Sequence, residues 1–152
     1  MGKSDRENAM QQLSFFIGEW ELEVIHPHLG TISGRTVFEW METEQYMMQR
    51  IRIDQPEFPG STVVYDYDVE TKTYLQHYFD SRGVTRLYQM SLDHHTWKLW
   101  RETSDFSPLD FSQRFTGDIN ASQDVIQSAW EKAYDGVSWE HDFRVVYRKV
   151  IL

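Results

Sequence analysis

From Trp20 onward the chain is a succession of short stretches in which apolar and polar residues alternate, separated by tight polar links. Alternation with a period of two puts every second side chain on one face, as in a strand that buries one side and wets the other. Trp20, Leu22 and Val24 alternate with Glu19, Glu21 and Glu23, and Pro27 and Gly30 then break the run. The same reading predicts strands over 32–41, 46–53, 62–68, 73–79, 84–92, 96–103, 111–119, 125–134 and 138–150. That makes about ten strands joined mostly by hairpin-length connections, with no crossover helix, which points to an antiparallel meander. Closure removes the two exposed edges an open meander would carry. A closed sheet of about eight to ten strands has room for its own side chains and one small ligand. The expected fold is all-β, an antiparallel up-and-down barrel with a short N-terminal helix. A two-sheet sandwich is the alternative.

The helix is predicted from Ser4 and Glu7, which form an S-x-x-E capping box. Ala9, Leu13 and Phe16 follow at helical spacing, and Gly18 is suited to ending the helix. A helix this short is not stable alone in water, so its apolar stripe must pack on the barrel. With 152 residues and no linker or low-complexity tract, residues 1–152 are expected to form one domain.

Composition narrows the function classes. The net charge of −9 disfavours nucleic acid, whose phosphates call for a basic face. No basic run suggests a membrane surface, and no stretch approaches the length of a membrane span. Zero cysteines exclude disulfides, thiolate catalysis and cysteine-ligated metals. The charged start Lys3-Ser4-Asp5-Arg6-Glu7 has no apolar stretch behind it, so a cytoplasmic location is expected.

Several segments taken in order resemble a known group. They are Ile17-Gly18-Glu19-Trp20, Thr36-Val37-Phe38-Glu39-Trp40, Gln49-Arg50, Tyr65-Asp66-Tyr67-Asp68 and His77-Tyr78-Phe79-Asp80-Ser81-Arg82-Gly83. Gln113-Arg114-Phe115-Thr116-Gly117, Ala129-Trp130-Glu131-Lys132 and Asp135-Gly136-Val137-Ser138-Trp139-Glu140 complete the pattern. It resembles the bacterial lipocalin-like domains of unknown function in the calycin superfamily, which also holds fatty-acid-binding proteins and nitrobindins. The resemblance implies a barrel with a lumen, in which Trp20 plugs the closed end and a late-strand arginine, Arg144 or Arg148, covers its ring. It implies no reaction, because function does not follow from fold. Nitrobindin-like haem carriers show a longer glycine-rich opening, Gly-x-Trp-x-Gly-x-Gly, whereas here Trp20 is followed by Glu21-Leu22-Glu23.

Candidate pocket residues depend on which strand faces point inward, since a shift of one residue moves every side chain to the other face. On the third strand Met47, Gln49, Ile51 and Ile53 share one face, and Tyr46, Met48, Arg50 and Arg52 share the other. If the isoleucine face points in, Gln49 is the polar member of the lumen. If the register is reversed, Arg50 enters it, and an interior arginine could grip a carboxylate through a bidentate contact. Arg114 raises the same question. Trp40, Gln49, Arg50, Tyr65, His77, Tyr78, Arg114, Trp130 and His141 are therefore the ligand-site candidates, with Tyr67, Tyr88 and Trp100 as further aromatic wall residues. His26 and His28 have no third ligand nearby in sequence, and His94-His95 falls in a turn, so no metal site is expected. No phosphate loop or nucleophile elbow is present.

The sequence supports a binding module for a small apolar or amphipathic molecule, with no cofactor expected. An isomerase or cyclase using His77 or His141 as acid–base group is the second reading, and haem binding through His141 is the third. A ligand-free structural domain, pairing as a homodimer through a barrel face, is the fourth. The sequence leaves open whether the loop 104–110 acts as a lid.

Overall fold

The computed structural model describes residues 4–41 and 43–151. The chain begins with α1 (Asp5–Gln11), followed by a 3-10 helix, Gln12–Phe16. Ten strands then follow: β1 (Gly18–His26), β2 (Gly30–Met41), β3 (Tyr46–Ile53), β4 (Ser61–Asp68) and β5 (Thr73–Asp80) lead into β6 (Thr85–Leu92), β7 (Thr96–Arg101), β8 (Ser112–Ile119), β9 (Val125–Ala133) and β10 (Glu140–Lys149). Each strand pairs antiparallel with its sequence neighbours, and β10 pairs with β1, so the sheet closes into the expected barrel rather than a sandwich.

Ser4 caps α1 as its sequence predicts, its hydroxyl accepting the Glu7 amide at 3.1 Å. The predicted single helix instead tightens after Gln11 into the 3-10 turn, which ends where the Ile17 amide reaches the Ser14 carbonyl. Gly18 makes the corner into β1 with φ +129°, a conformation that side-chain-bearing residues rarely adopt.

Helix, 3-10 turn and the 43–45, 69–72, 93–95 and 120–124 connections all lie at one end, because β1 starts there and every strand reverses direction. This end is packed shut. Met10, Leu13 and Phe16 sit fully buried with Trp20, Phe38, Met47, Met90 and Trp97. Phe16 stacks on Phe38 at 4.9 Å and meets the Trp97 edge at 4.8 Å, geometries that favour aromatic pairs. The Trp20 indole donates to the Phe16 carbonyl at 2.7 Å, so the plug residue also ties down the helix end.

The cation over Trp20 is Lys149, 5.6 Å from the ring centre, and its ammonium also donates to the Phe15 carbonyl at 2.7 Å. This corrects the expectation for Arg144 and Arg148. Strand alternation explains the difference: Val145 and Tyr147 face inward, as Lys149 does, so Arg144 and Arg148 face out. Arg148 lies 3.9 Å from Glu23, and Arg144 is exposed.

Candidate functional site

The other end of the barrel is open. The connections 27–29, 54–60, 81–84, 102–111 and 134–139 surround its mouth. Behind them lies a cavity of about 310 Å³, at the small end of the range typical of ligand pockets. Leu22 and Val24 of β1, Ile51 and Ile53 of β3, Leu99 of β7 and Val145 of β10 supply aliphatic wall. Phe115, Trp130 and Phe143 supply aromatic wall, with Trp97 and Tyr147 toward the floor. One glycine helps shape this wall. A Cβ on Gly34 would lie 2.7 Å from the Arg52 carbonyl oxygen and 2.7 Å from the Ile53 side chain, so only glycine lets β2 approach β3 there.

Between the packed end and the cavity runs a buried hydrogen-bonded chain. The Gln76 amide donates to the Tyr65 hydroxyl at 2.9 Å, and Tyr65 donates to Gln49 Oε1 at 2.6 Å. Gln49 donates to Thr36 at 3.0 Å, and Thr36 donates to the Arg50 carbonyl at 2.8 Å. Four strands supply these partners, and each buried polar group is matched, as the low-dielectric interior requires. Burial holds the Tyr65 hydroxyl well above the usual tyrosine range, and Tyr147 beside it is raised for the same reason, so both stay protonated donors.

The mouth is polar on its β5–β8 side. Tyr78 donates to Asp80 at 2.8 Å, and Arg82 donates to the same carboxylate at 2.7 Å. Burial alone would raise the Asp80 pKa, but the hydrogen bonds from Arg82, Tyr78 and two backbone amides outweigh it and bring it to about 2. Arg86 and Tyr88 both reach Gln113 Oε1, at 3.5 and 2.8 Å. Arg101 is 3% exposed and grips Asp105 through two hydrogen bonds of 3.0 and 2.9 Å. Asp105 also accepts the Leu87 amide at 2.8 Å, and Ser107 donates to the Thr85 carbonyl at 2.8 Å. The loop 102–111 is thereby strapped onto the start of β6. These bonds overcome burial and hold the Asp105 carboxyl well below the usual range.

The structure brings Gln49, Tyr78 and Trp130 to the cavity surface, while Tyr65 lies fully buried behind Gln49. On β3 the isoleucine face points inward, so Gln49 is the lumen member and Arg50 lies outside, exposed and 3.4 Å from Glu39. Arg114 also sits outside, paired with Glu131 at 2.9 Å and stacked 4.1 Å over Trp139. Trp40 packs at the closed end opposite Met47, away from the cavity. His77 alternates with the inward Gln76 and Tyr78 and so faces out. His141 is exposed on β10 opposite Glu131. Neither histidine borders the lumen, so neither is placed as an interior acid–base group, and His141 does not fit an interior haem ligand. His26 accepts the His28 and Leu29 amides through Nδ1 and so organises the β1–β2 turn. Tyr88 joins the wall, but Tyr67 and Trp100 do not.

Sequence reasoning missed Arg86, Phe58, Asp142 and Phe143. Arg86 alternates in step with Tyr88 and Met90, so its inward direction was readable. Asp142 and Phe143 line the cavity together because β10 bulges between His141 and Phe143, which puts two consecutive side chains on one side.

No family model matches the chain, and no curated protein matches it. Among solved structures it is similar to Rv2717c from M. tuberculosis, with 14% identity, a TM-score of 0.63, and coverage of 94% of this chain and 98% of that one. A protein of unknown function from the DUF3598 family of Nostoc punctiforme aligns over 98% of this chain and 100% of its own at 9% identity, with a TM-score of 0.28. At such identity the first likeness shows a shared fold, and the second carries no argument. The chain is a β-barrel of the same architecture as Rv2717c.

Proposed function

We propose that the protein is a calycin-type binding module that takes a small, largely apolar molecule into its lumen through the open mouth. The observation that carries this reading is the contrast inside one barrel between a fully packed end and a cavity of about 310 Å³ behind an open mouth. Burial of apolar ligand surface against Leu, Ile, Val and aromatic walls supplies affinity, at about 25 cal/mol per Å² removed from water. The ordered Gln49 and Gln76 amides at the floor, and the tyrosines at the mouth, fix orientation. The position of His77 and His141 outside the lumen favours a carrier over acid–base catalysis by either group. The absence of cysteine is in keeping with work in a reducing cytoplasm.

The test is titration with the apolar fluorophore N-phenyl-1-naphthylamine, comparing the wild type with Ile53→Trp, which fills the mouth side of the cavity. Saturable one-to-one binding that the filled variant loses, with circular dichroism unchanged, supports the reading. Absence of saturable binding, or binding indifferent to Ile53→Trp, overturns it.

A further inference from the structure

Charges lining the cavity are unevenly matched. Arg82 is neutralised by Asp80 at 2.7 Å, and nearby Arg101 is neutralised by Asp105 at 2.9 Å. Arg86 has no carboxylate within 4.0 Å among the described residues, although it lines the same cavity and is half-buried. Its Nε is fully buried and hydrogen-bonded to nothing. Its Nη1 makes one long contact of 3.5 Å to Gln113, its guanidinium lies 5.9 Å from the Phe111 ring, and it also engages the neighbouring Tyr88 hydroxyl, so its partners are neutral groups. A half-buried guanidinium with neutral partners only and an orphaned Nε is uncommon, because a buried charge is costly unless it is paired and hydrogen-bonded.

The neighbours of Arg86 make the place a donor site. Tyr88 is raised by burial and so keeps its proton, and it donates to Gln113 Oε1 at 2.8 Å. With that oxygen engaged by Tyr88 and Arg86, the remaining polar group of Gln113 is its amide NH2. The acids that face the mouth, Glu57 in the 54–60 loop and Asp142 on β10, lie on other elements and form no ion pair with Arg86. Asp142 is 3.8 Å from Lys132. An anionic group entering the mouth is repelled from the Glu57 and Asp142 sectors and attracted to β6.

We infer that Arg86 is the head-group anchor of the lumen, and that the ligand is an amphipathic monoanion whose carboxylate meets Arg86 at the mouth while its apolar body fills the cavity. The inference rests on the lumen reading above and adds the chemical class of the ligand. The planar guanidinium suits a carboxylate, which can accept two parallel N–H bonds from it, and those charge-assisted bonds are stronger than neutral ones.

Calorimetric titration with octanoate and decanoate, beside octanol and decanol, tests it on the wild type, Arg86→Gln, Arg86→Lys and the outward-facing Arg52→Gln. The expected result is tighter binding of each carboxylate than of its alcohol. Loss of the anchor in Arg86→Gln should weaken carboxylates by about ten- to a hundredfold and leave alcohols within about twofold. Arg86→Lys should fall between, because it keeps the charge without the fork, and Arg52→Gln should match the wild type. If alcohols and carboxylates bind equally and Arg86→Gln changes neither, the head-group assignment is overturned and the apolar lumen stands. If neither class binds the wild type, the lumen reading fails and takes this inference with it. Thermal melts identify any unfolded Arg86→Gln, in which case the ratio of carboxylate to alcohol affinity in Arg86→Lys decides: a ratio unchanged from wild type overturns the assignment.

Discussion

The two ends of this barrel are built from the same ten strands, yet they solve opposite problems. At the closed end, the N-terminal helix and the 3-10 turn push Met10, Leu13 and Phe16 into the lumen, where they meet Trp20, Phe38 and Trp97 with nothing left open. At the open end there is no helix among the described residues. Ile51, Ile53, Phe58, Tyr78, Trp130 and Phe143 remain only partly buried around empty space, and ion pairs join aromatic contacts such as Phe58 on Phe143 in holding the loops. One end is filled by side chains and the other keeps a cavity, which the proposed function assigns to a ligand. The short helix and the 3-10 turn decide which end is filled.

Five substitutions or conditions break or sharpen that contrast. The largest effect is expected at the plug: Trp20→Ala should lose about 3–5 kcal/mol of unfolding free energy, whereas Phe143→Ala at the mouth should lose less than about 2 kcal/mol. Equilibrium urea unfolding of the two variants checks the difference, and equal costs would erase it. Next comes the loop strap. Asp105→Asn leaves Arg101 buried without its counter-charge, and about 3 kcal/mol should go with it. Hydrogen exchange at the Leu87 and Ser107 amides, both bonded to Asp105, should accelerate most.

The third effect is acid-induced. Asp80 has its pKa lowered from 3.8 to about 2 in the folded protein, so its contribution is fully present above pH 3.8 and is lost as pH falls toward 2. Its partner Arg82 is half exposed, which screens the gain to on the order of 1 kcal/mol, or about 2–4 °C in Tm. In Asp80→Asn the fall in Tm between neutral pH and pH 2 should be shallower by that amount. Fourth, Lys149→Met should cost about 1 kcal/mol, because it loses both the contact over Trp20 and the bond to Phe15. Arg148→Met should cost less than Lys149→Met, and a reversed order in urea titrations would return the covering role to the arginine. Smallest, Arg114→Gln removes an exposed ion pair and should change stability by less than about 1 kcal/mol, with decanol affinity unaltered in calorimetry.

How much of this was legible in the sequence depended on whether one strand face was clearly more apolar than the other. On β3, Met47, Gln49, Ile51 and Ile53 against Arg50 and Arg52 leave one sensible inward face, and the structure uses it. On β5 both faces carry apolar residues, with Tyr74, Gln76 and Tyr78 opposed to Leu75, His77 and Phe79, so the outward direction of His77 was not readable. Lys149 and Arg86 could both have been found by extending the alternation of their own strands, from Tyr147 and from Tyr88. The bulge beside His141 could not, because it arises from pairing between β9 and β10 rather than from local pattern. The alternation runs past the observed strand ends at 84, 102–103, 111, 134, 138–139 and 150, and all of these but 150 fall in the connections around the mouth.

The most direct measurement is a methyl-resolved NMR titration of the protein with decanol. It compares Leu22, Val24, Ile51, Ile53, Leu99 and Val145, which line the cavity, with Leu13, Ile119 and Ile126 at the closed end. A barrel with one packed end and one enterable end requires saturable shifts throughout the first set and little change in the second. Shifts in neither set, or changes confined to the outer groove beside α1 at Ala9 and Leu92, would contradict it.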